Sequence, residues 1–397
     1  MNEYDVAIVG GGPIGCYTAA ELSSRGFKVG LFEQKKEIGI PIKCAGLLTP
    51  RIFSTFTIPQ ESSVQNKIYG ATIHSPSNHE LTIGGDKVHA FAVDRTTFDQ
   101  TLAHQAEKHN VDMHTSSKVI SAQHDKKNIS LTIKNSQKKN RNITCSLVIG
   151  ADGPQSRIRQ TFLASNPKER LHGIGAEIID SNLDPKIVHI YLGTDIAPGF
   201  FAWMIPTDPK GETARLGLCA SSLGNKPLHK YFSDFMVKPH VQQYLEGSTT
   251  LTSMGGLIPL GLLQQTTTDR VMIVGDAAAQ VKPTSGGGIY TGLTCAKHCV
   301  AIAQQALEKS KVTNSFLQTY HKEWMKTIGK ELSMGMRFRR ILKNLDNDYL
   351  DKYIKKLDTP KIRDTINTYG DIDHPSTLLM PLIKQAPSLA KLLLHYK

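Results

Sequence analysis

Val6-Ala-Ile-Val9 runs directly into Gly10-Gly-Gly12-Pro-Ile-Gly15, a helical pattern follows from about Cys16 to Ser24, and Lys28-Val-Gly-Leu-Phe-Glu33 comes after Gly26. A short unbroken apolar run reads as a strand covered on both faces. The glycines then fall into G-x-G-x-x-G. Gly10 permits the tight turn, Gly12 lets backbone approach a pyrophosphate, and Gly15 lets helix and sheet pack closely. The helix N-terminus adds unpaired N–H groups and a positive dipole end. Glu33 closes the second strand, where a carboxylate accepts hydrogen bonds from ribose hydroxyls and disfavours a 2′-phosphate. Strand, glycines, helix, second strand and acid in that order predict a dinucleotide site that suits FAD or NAD rather than NADP.

Two later stretches favour FAD. Leu147-Val-Ile-Gly-Ala-Asp-Gly153, followed by Ser156 and Arg159, is another strand entering a glycine turn. Arg270-Val-Met-Ile-Val-Gly-Asp-Ala-Ala278 is a third, and it continues through Pro283-Thr-Ser-Gly-Gly-Gly-Ile289 into a helix reaching Ala303. An NAD domain is normally complete within about 150 residues. A sheet assembled from segments this far apart suits an extended cofactor.

These segments together resemble the para-hydroxybenzoate hydroxylase-like FAD superfamily, which includes aromatic hydroxylases, halogenases and geranylgeranyl reductases. The resemblance implies that Asp276 contacts the ribityl or pyrophosphate part of FAD. It also implies that Gly287, Gly288 and Ile289 open a helix aimed at the flavin pyrimidine ring, where a positive dipole end stabilises reduced flavin. Arg95, in Val93-Asp-Arg95-Thr-Thr-Phe98-Asp99, would touch phosphates or the ribityl chain, with a helix-start ion pair as the plainer reading. The strand at Lys118-Val119 corresponds to backbone contacts with adenine.

Between the cofactor segments, Pro198-Gly-Phe-Phe201-Ala-Trp203-Met-Ile-Pro206 is similar to the P-x-x-Y-x-W-x-F-P signature of geranylgeranyl reductases, with Phe201 in place of the tyrosine and Ile205 in place of the phenylalanine. The segment reads as a strand presenting Phe201, Trp203 and Pro206 to a flexible hydrocarbon. An ordinary aromatic core strand is the alternative. Pro41-Ile-Lys-Cys44-Ala45-Gly46 resembles the Pro-x-x-Cys-Gly loop of archaeal lipid reductases, with Ala45 where the family has glycine. The resemblance places Cys44 and Ala45 beside the flavin, where a thiol can donate a proton, position substrate or shape the pocket. A buried, inert cysteine is the bland alternative.

Composition bounds the rest. The 397 residues carry 47 Lys and Arg against 35 Asp and Glu, a formal net charge of +12 that favours an anionic partner. The six cysteines form no C-x-x-C pair and no zinc pattern, so no metal is expected and a reducing cytoplasm fits. No secretory signal is expected, and no stretch approaches the ~18 apolar residues that span a bilayer. The expected location is cytoplasmic, either free or peripheral on an anionic membrane. Leucines and lysines at helical spacing in residues 380–397 permit an interfacial helix or one packed on its own domain.

The expected architecture is α/β. A discontinuous Rossmann-like FAD-binding domain (1–70, 95–165, 268–305) joins an antiparallel β-sheet substrate domain (71–94, 166–267) and a C-terminal helical region (306–397). The expected activity is FAD-dependent saturation of C=C bonds in geranylgeranyl or polyprenyl lipids, as in digeranylgeranylglycerophospholipid reductases. Electrons would come from NADPH or from reduced ferredoxin, an acidic protein suited to a basic surface. Nucleic acid is not an expected partner. An FAD-dependent monooxygenase or halogenase acting on an apolar or aromatic substrate is the rival enzyme reading, since Phe-x-Trp-x-Ile-Pro also approaches the halogenase W-x-W-x-I-P. A non-catalytic FAD or lipid carrier is the third.

Overall fold

The computed structural model describes residues 3–42, 44–125, 127–221, 224 and 226–386, and the chain divides into two compact units. The first comprises 1–41, 95–169 and 259–333. Its sheet runs in the order Thr267–Thr268, Val271–Ile273, Asn140–Gly150, Tyr4–Val9, Val29–Phe32, Asp112–His114. The four strands Val271–Ile273, Asn140–Gly150, Tyr4–Val9 and Val29–Phe32 are mutually parallel. In register, Val9 faces both Phe32 and Gly150, and Gly150 faces Ile273. The turns after all four strands therefore leave from one edge, which is where open parallel sheets bind ligands. The strands are as apolar as a doubly covered sheet requires: Val6, Ala7, Ile8, Leu147, Val148, Ile149, Met272 and Ile273 are buried. Helices Pro13–Ser23, Arg95–Lys108 and Ile289–Glu308 belong to this unit.

The second unit comprises 42–94, 170–258 and 334–397. Among the described residues its larger sheet has the order Thr249–Leu260, Glu169–Ile179, Thr213–Ala220, Ala202–Pro206, Ile187–Tyr191, Gly70–His74, Glu80–Gly84. A smaller sheet joins Leu47–Leu48, Ala90–Val93 and Val64–Ile68. Strand alternation sorts the Ala202–Pro206 segment between two apolar clusters. Ala202 and Met204 join a core with Phe235, Val241 and Leu245 from helices Leu228–Met236 and Pro239–Leu245. Trp203 and Ile205 join Ile68, Ala90, Ala92 and Val188 on the other cluster.

The α/β class and the C-terminal helices match the sequence reading, whereas the second unit's larger sheet is mixed: most of its pairs are antiparallel, but Ile187–Tyr191 runs parallel to Gly70–His74. The division of the chain also differs from that reading. Residues 42–70 lie with the second unit because their strands pair with Ala90–Val93. Residues 306–333 lie with the first because Tyr320 and Trp324 are buried there, donating to Ile273 O (2.9 Å) and Thr266 Oγ1 (3.3 Å). The later helices Asn347–Leu357 and Pro360–Tyr369 are tied to the Gly70–Gly84 hairpin by Asp351 on Ser75 and Ser77, Asp358 on His79, and Asn367 on the Gly84 N–H. Residues 387–397 of the proposed interfacial segment lie outside the described residues.

The second unit also buries a histidine pair. His74 Nε2 and His189 Nδ1 are 3.0 Å apart, beneath the Tyr191 ring stacked on His74 at 4.2 Å. Burial, reinforced by His74, lowers His189 from its ordinary 6.5 to about 4. Burial lowers His74 as well. Between those limits the unfolded chain binds more protons than the native one, so stability rises with pH through the window and falls on acidification below about 6.5. Unfolding free energies at pH 7 and pH 4.5 should differ by roughly 2–3 kcal/mol more in this protein than in the His189→Gln variant. Equal pH slopes in the two proteins would remove the pair as the cause.

Candidate active site

At the ligand edge of the first unit, Gly10 adopts φ +107°, which side chains other than glycine rarely reach. A β-carbon at Gly15 would overlap the Gly10 carbonyl oxygen, while one at Gly12 would meet no protein atom within 4 Å. The turn thus closes on itself at Gly15 and opens outward at Gly12. Glu33 is buried, and its carboxylate accepts the N–H groups of Gly11 (2.7 Å) and Lys35 (2.8 Å). It is fixed at the end of the second strand with lone pairs still available for hydroxyl donors.

Asp276 lies in the short helical turn Gly275–Ala278. Its Oδ1 comes within 2.7 Å of the position a β-carbon would take at Gly288, so the carboxylate sits at the N-terminus of helix Ile289–Glu308. Burial raises its carboxyl to about 6, and Arg95 opposes that shift. Arg95 opens helix Arg95–Lys108 and forks onto Asp99, with Nε and Nη2 at 3.1 and 2.9 Å from Oδ1. The helix-start ion pair and the proximity to Asp276 therefore coexist. Gly287 follows in the same loop, and Ile289 begins the helix. Lys118 begins strand Lys118–Asp125 with its side chain exposed, and the adjoining Ser117 N–H donates to Glu33 O (2.7 Å).

Three residues brace this edge, and two of them, Gln280 and Lys282, lie outside the patterns read in the sequence. Arg159, fully buried, donates to Ala277 O (2.7 Å) and Pro154 O (3.0 Å), linking the turns after two strands. Gln280 accepts from the Gly275 N–H (2.8 Å) and donates to Tyr320 Oη (2.8 Å). Lys282 is buried beside the glycine loop and closes it, with its N–H on Gly287 O (3.1 Å) and its carbonyl on Gly286 N (2.9 Å). A polar residue inside an apolar stretch just after a glycine turn is the signal common to Gln280 and Lys282. Asp152 caps helix Arg157–Phe162 through Oδ2, and its buried Oδ1 has no hydrogen-bond partner among the described residues.

Within the second unit, Cys44 is half-buried, and its sulfur accepts the Gly46 N–H at 3.4 Å. The other five cysteines are buried. Ala45, Leu47 and Trp203 all pack on the cluster of Ile68, Ala90, Ala92, Val188 and Ile205. The thiol loop and the aromatic strand thus share one apolar support. Arg215, which periodicity does not reveal, holds that loop. It is buried, pairs with Glu177 (2.6 Å), and donates to Val93 O (2.6 Å), Gln65 Oε1 (2.9 Å) and Ala45 O (3.4 Å).

The Trp203 indole lies so close over Gly217 that a β-carbon there would overlap Cζ2. Phe201 meets Trp203 edge-on at 6.2 Å. The indole Nε1 is buried without a hydrogen-bond partner among the described residues. Pro206 ends the strand buried, its carbonyl taken by Asn66 Nδ2 (3.2 Å). Near Cys44, burial pushes the Cys219 thiol up to about 12, against the opposing charge of Arg339. No cluster of three or more metal-ligating side chains occurs among the described residues.

The residues of the first unit fit an adenine–flavin dinucleotide: a cradle open at Gly12, an anchored acid at Glu33, and a glycine-opened helix N-terminus at Gly287 and Gly288 with the Asp276 carboxylate beside it. The sequence profile of the FAD binding domain family matches residues 3–331. A digeranylgeranylglycerophospholipid reductase of Methanocaldococcus jannaschii is 30% identical over 89% of this chain and 90% of its own length. An uncharacterised protein of the same organism is 31% identical over 96% and 95%. The fold matches a geranylgeranyl bacteriochlorophyll reductase-like protein of Thermoplasma acidophilum with a TM-score of 0.86 at 22% identity, covering 99% of both chains. With profile, relatives and glycine cradle in agreement, the chain belongs to the FAD binding domain family, in its geranylgeranyl reductase branch, and FAD is its cofactor.

Proposed function

We propose that the protein is an FAD-dependent reductase that saturates C=C bonds in geranylgeranyl or other polyprenyl chains of membrane or isoprenoid lipids. The observation that carries this reading is the shared apolar support of the Cys44 loop and Trp203, which suits a hydrocarbon held against a thiol. FAD, when bound, supplies hydride chemistry for one alkene carbon. Gly10, Gly12 and Gly15 hold its pyrophosphate side, and Glu33 takes ribose hydroxyls. Arg95, Asp276, Gly287, Gly288 and Ile289 fix the ribityl and flavin end, Lys118 lends its backbone to the adenine, and Ala45 lines the approach. Cys44 holds the proton for the second carbon. Isolated alkenes accept hydride poorly, so positioning must contribute much of the rate. Phe201, Trp203 and Pro206 supply that positioning.

The 30%-identical relative, a digeranylgeranylglycerophospholipid reductase, supports the lipid class. A flavin-dependent halogenase shares the fold, with a TM-score of 0.72 at 17% identity, and that likeness speaks for the fold alone. The electron donor is NADPH or reduced ferredoxin, both anionic and both suited to the charge of +12. The same charge favours peripheral contact with an anionic membrane from the cytoplasmic side. Among the described residues no helix is long and apolar enough to cross one.

The test is mass spectrometry of a geranylgeranyl lipid after anaerobic incubation with reductant and FAD-loaded protein. A gain of two mass units per saturated bond is expected. Trp203→Ala should keep its flavin and lose roughly one to two powers of ten in kcat/KM, as removal of a large aromatic contact implies. Unchanged lipid mass with fully reduced flavin would overturn the reading.

A further inference from the structure

Beyond Trp203, the aromatic segment continues toward a cation. Phe201 stacks on Phe200 at 4.3 Å, and the Arg339 guanidinium carbon lies 5.0 Å from the Phe200 ring centroid. Trp203, Phe201 and Phe200 thus form a track of rings that ends at a positive charge, all within the second unit. Arg339 is only 4% exposed. A guanidinium tolerates such a position when an aromatic face and hydrogen-bond acceptors replace its water.

Lys343 sits one helical turn further along Lys330–Lys343, on the same face and exposed. Its Cγ comes 3.3 Å from the β-carbon position of Gly199. Gly199 has φ +73°, and a side chain there would collide with the Ser221 hydroxyl. The turn therefore needs glycine to bring strand, serine and helix together. Ser221 donates its N–H to Pro198 O (3.0 Å), while its buried Oγ has no hydrogen-bond partner among the described residues. Leaving a buried hydroxyl unsatisfied is costly, and a ligand oxygen would recover that loss.

Two cations and an orphaned hydroxyl at the end of an apolar track complement an amphiphile with an oxyanion at its polar end. We propose that Arg339, Lys343 and Ser221 form the subsite for the phosphate group of a phosphorylated prenyl lipid, whose chain lies along Phe200, Phe201 and Trp203. The subsite deepens the reductase reading and rests on it for the nature of the chain. Phosphate suits the set because its oxygens satisfy a planar guanidinium, an ammonium and a hydroxyl together.

Calorimetry on the full-length FAD-loaded protein tests this with geranylgeranyl monophosphate, geranylgeraniol and inorganic phosphate as probes. The monophosphate should bind at least about tenfold more tightly than the alcohol, as one or two charge-assisted hydrogen bonds imply. In Ser221→Ala/Lys343→Gln the ratio should drop below about threefold. Lys343 is exposed, so the test does not depend on a buried arginine variant folding; Arg339→Lys, checked by its melting temperature and flavin content, should reduce the ratio in the same direction. Equal binding of the two lipids, or a ratio that survives in the double variant, would overturn the subsite. So would inorganic phosphate binding as tightly as the lipid phosphate, since that describes a free-anion site. Should the bound lipid come back at unchanged mass after anaerobic reduction, the reductase reading fails while the affinity ratio still decides the subsite.

Discussion

Gly12→Asp should give a folded, colourless protein. Gly12 has φ −73° and ψ 177°, open to any residue, and a β-carbon there touches nothing. It also stands at the N-cap of helix Pro13–Ser23, where aspartate is a favoured cap. The substitution therefore costs the apoprotein nothing and sets a carboxylate where the pyrophosphate would lie. Like charges at contact distance in a poorly solvated cradle should weaken FAD by roughly two powers of ten or more. The ratio of flavin to protein absorbance and the melting temperature together read the outcome. Gly15→Ala is the contrasting control: its added carbon would collide with the Gly10 carbonyl, so this variant should lose about 3 kcal/mol of fold stability or more. A yellow Gly12→Asp protein would sink the assignment of the cradle.

The second large effect belongs to Arg215. Removing its guanidinium in Arg215→Met leaves Glu177, Gln65 and the Val93 carbonyl without their partner inside the protein. Breaking a buried pair from one side typically costs 3–5 kcal/mol, and chemical denaturation should show about that. The Ala45–Gly46 backbone loses its brace as well. Cys44 is the half-buried thiol among five buried ones, so its alkylation rate reports the loop specifically. That rate should rise about tenfold or more through more frequent opening of the loop. Arg215→Lys should recover only part of both losses, because one ammonium cannot span acceptors set around a planar fork. Unchanged stability together with unchanged alkylation would show that the brace is dispensable.

The glycine turns, the parallel strands feeding them and the acid at position 33 are legible in the sequence because each rests on a local rule: an apolar run, a turn needing glycine, a strand end. The aromatic strand is legible through alternation and proline spacing. Arg215 is not, because its partners lie far along the chain and an isolated arginine carries no periodicity; Arg159 is legible behind the second glycine turn, but its bond to the Ala277 carbonyl is not. The boundary at 41/42 is hidden for a related reason, since the pairing of Leu47–Leu48 with Ala90–Val93 has no signature in two residues. Arg339 and Phe200 illustrate the same limit. Their proximity exists only once a helix beyond residue 330 has packed beside a strand near 200.

The interleaving of the two units has a consequence for synthesis. Strand Val271–Ile273 completes the nucleotide sheet by pairing with Val148–Gly150, and the turn bearing Asp276 follows it. A ribosome extends the chain from one end, so the sheet that begins at Tyr4–Val9 waits through some 260 residues before the strand beside Asn140–Gly150 emerges. Contacts this distant in sequence slow folding and leave strand edges unpaired meanwhile. The nascent protein spends that interval with the apolar edge of Asn140–Gly150 uncovered, a window in which unpaired strand edges are prone to association.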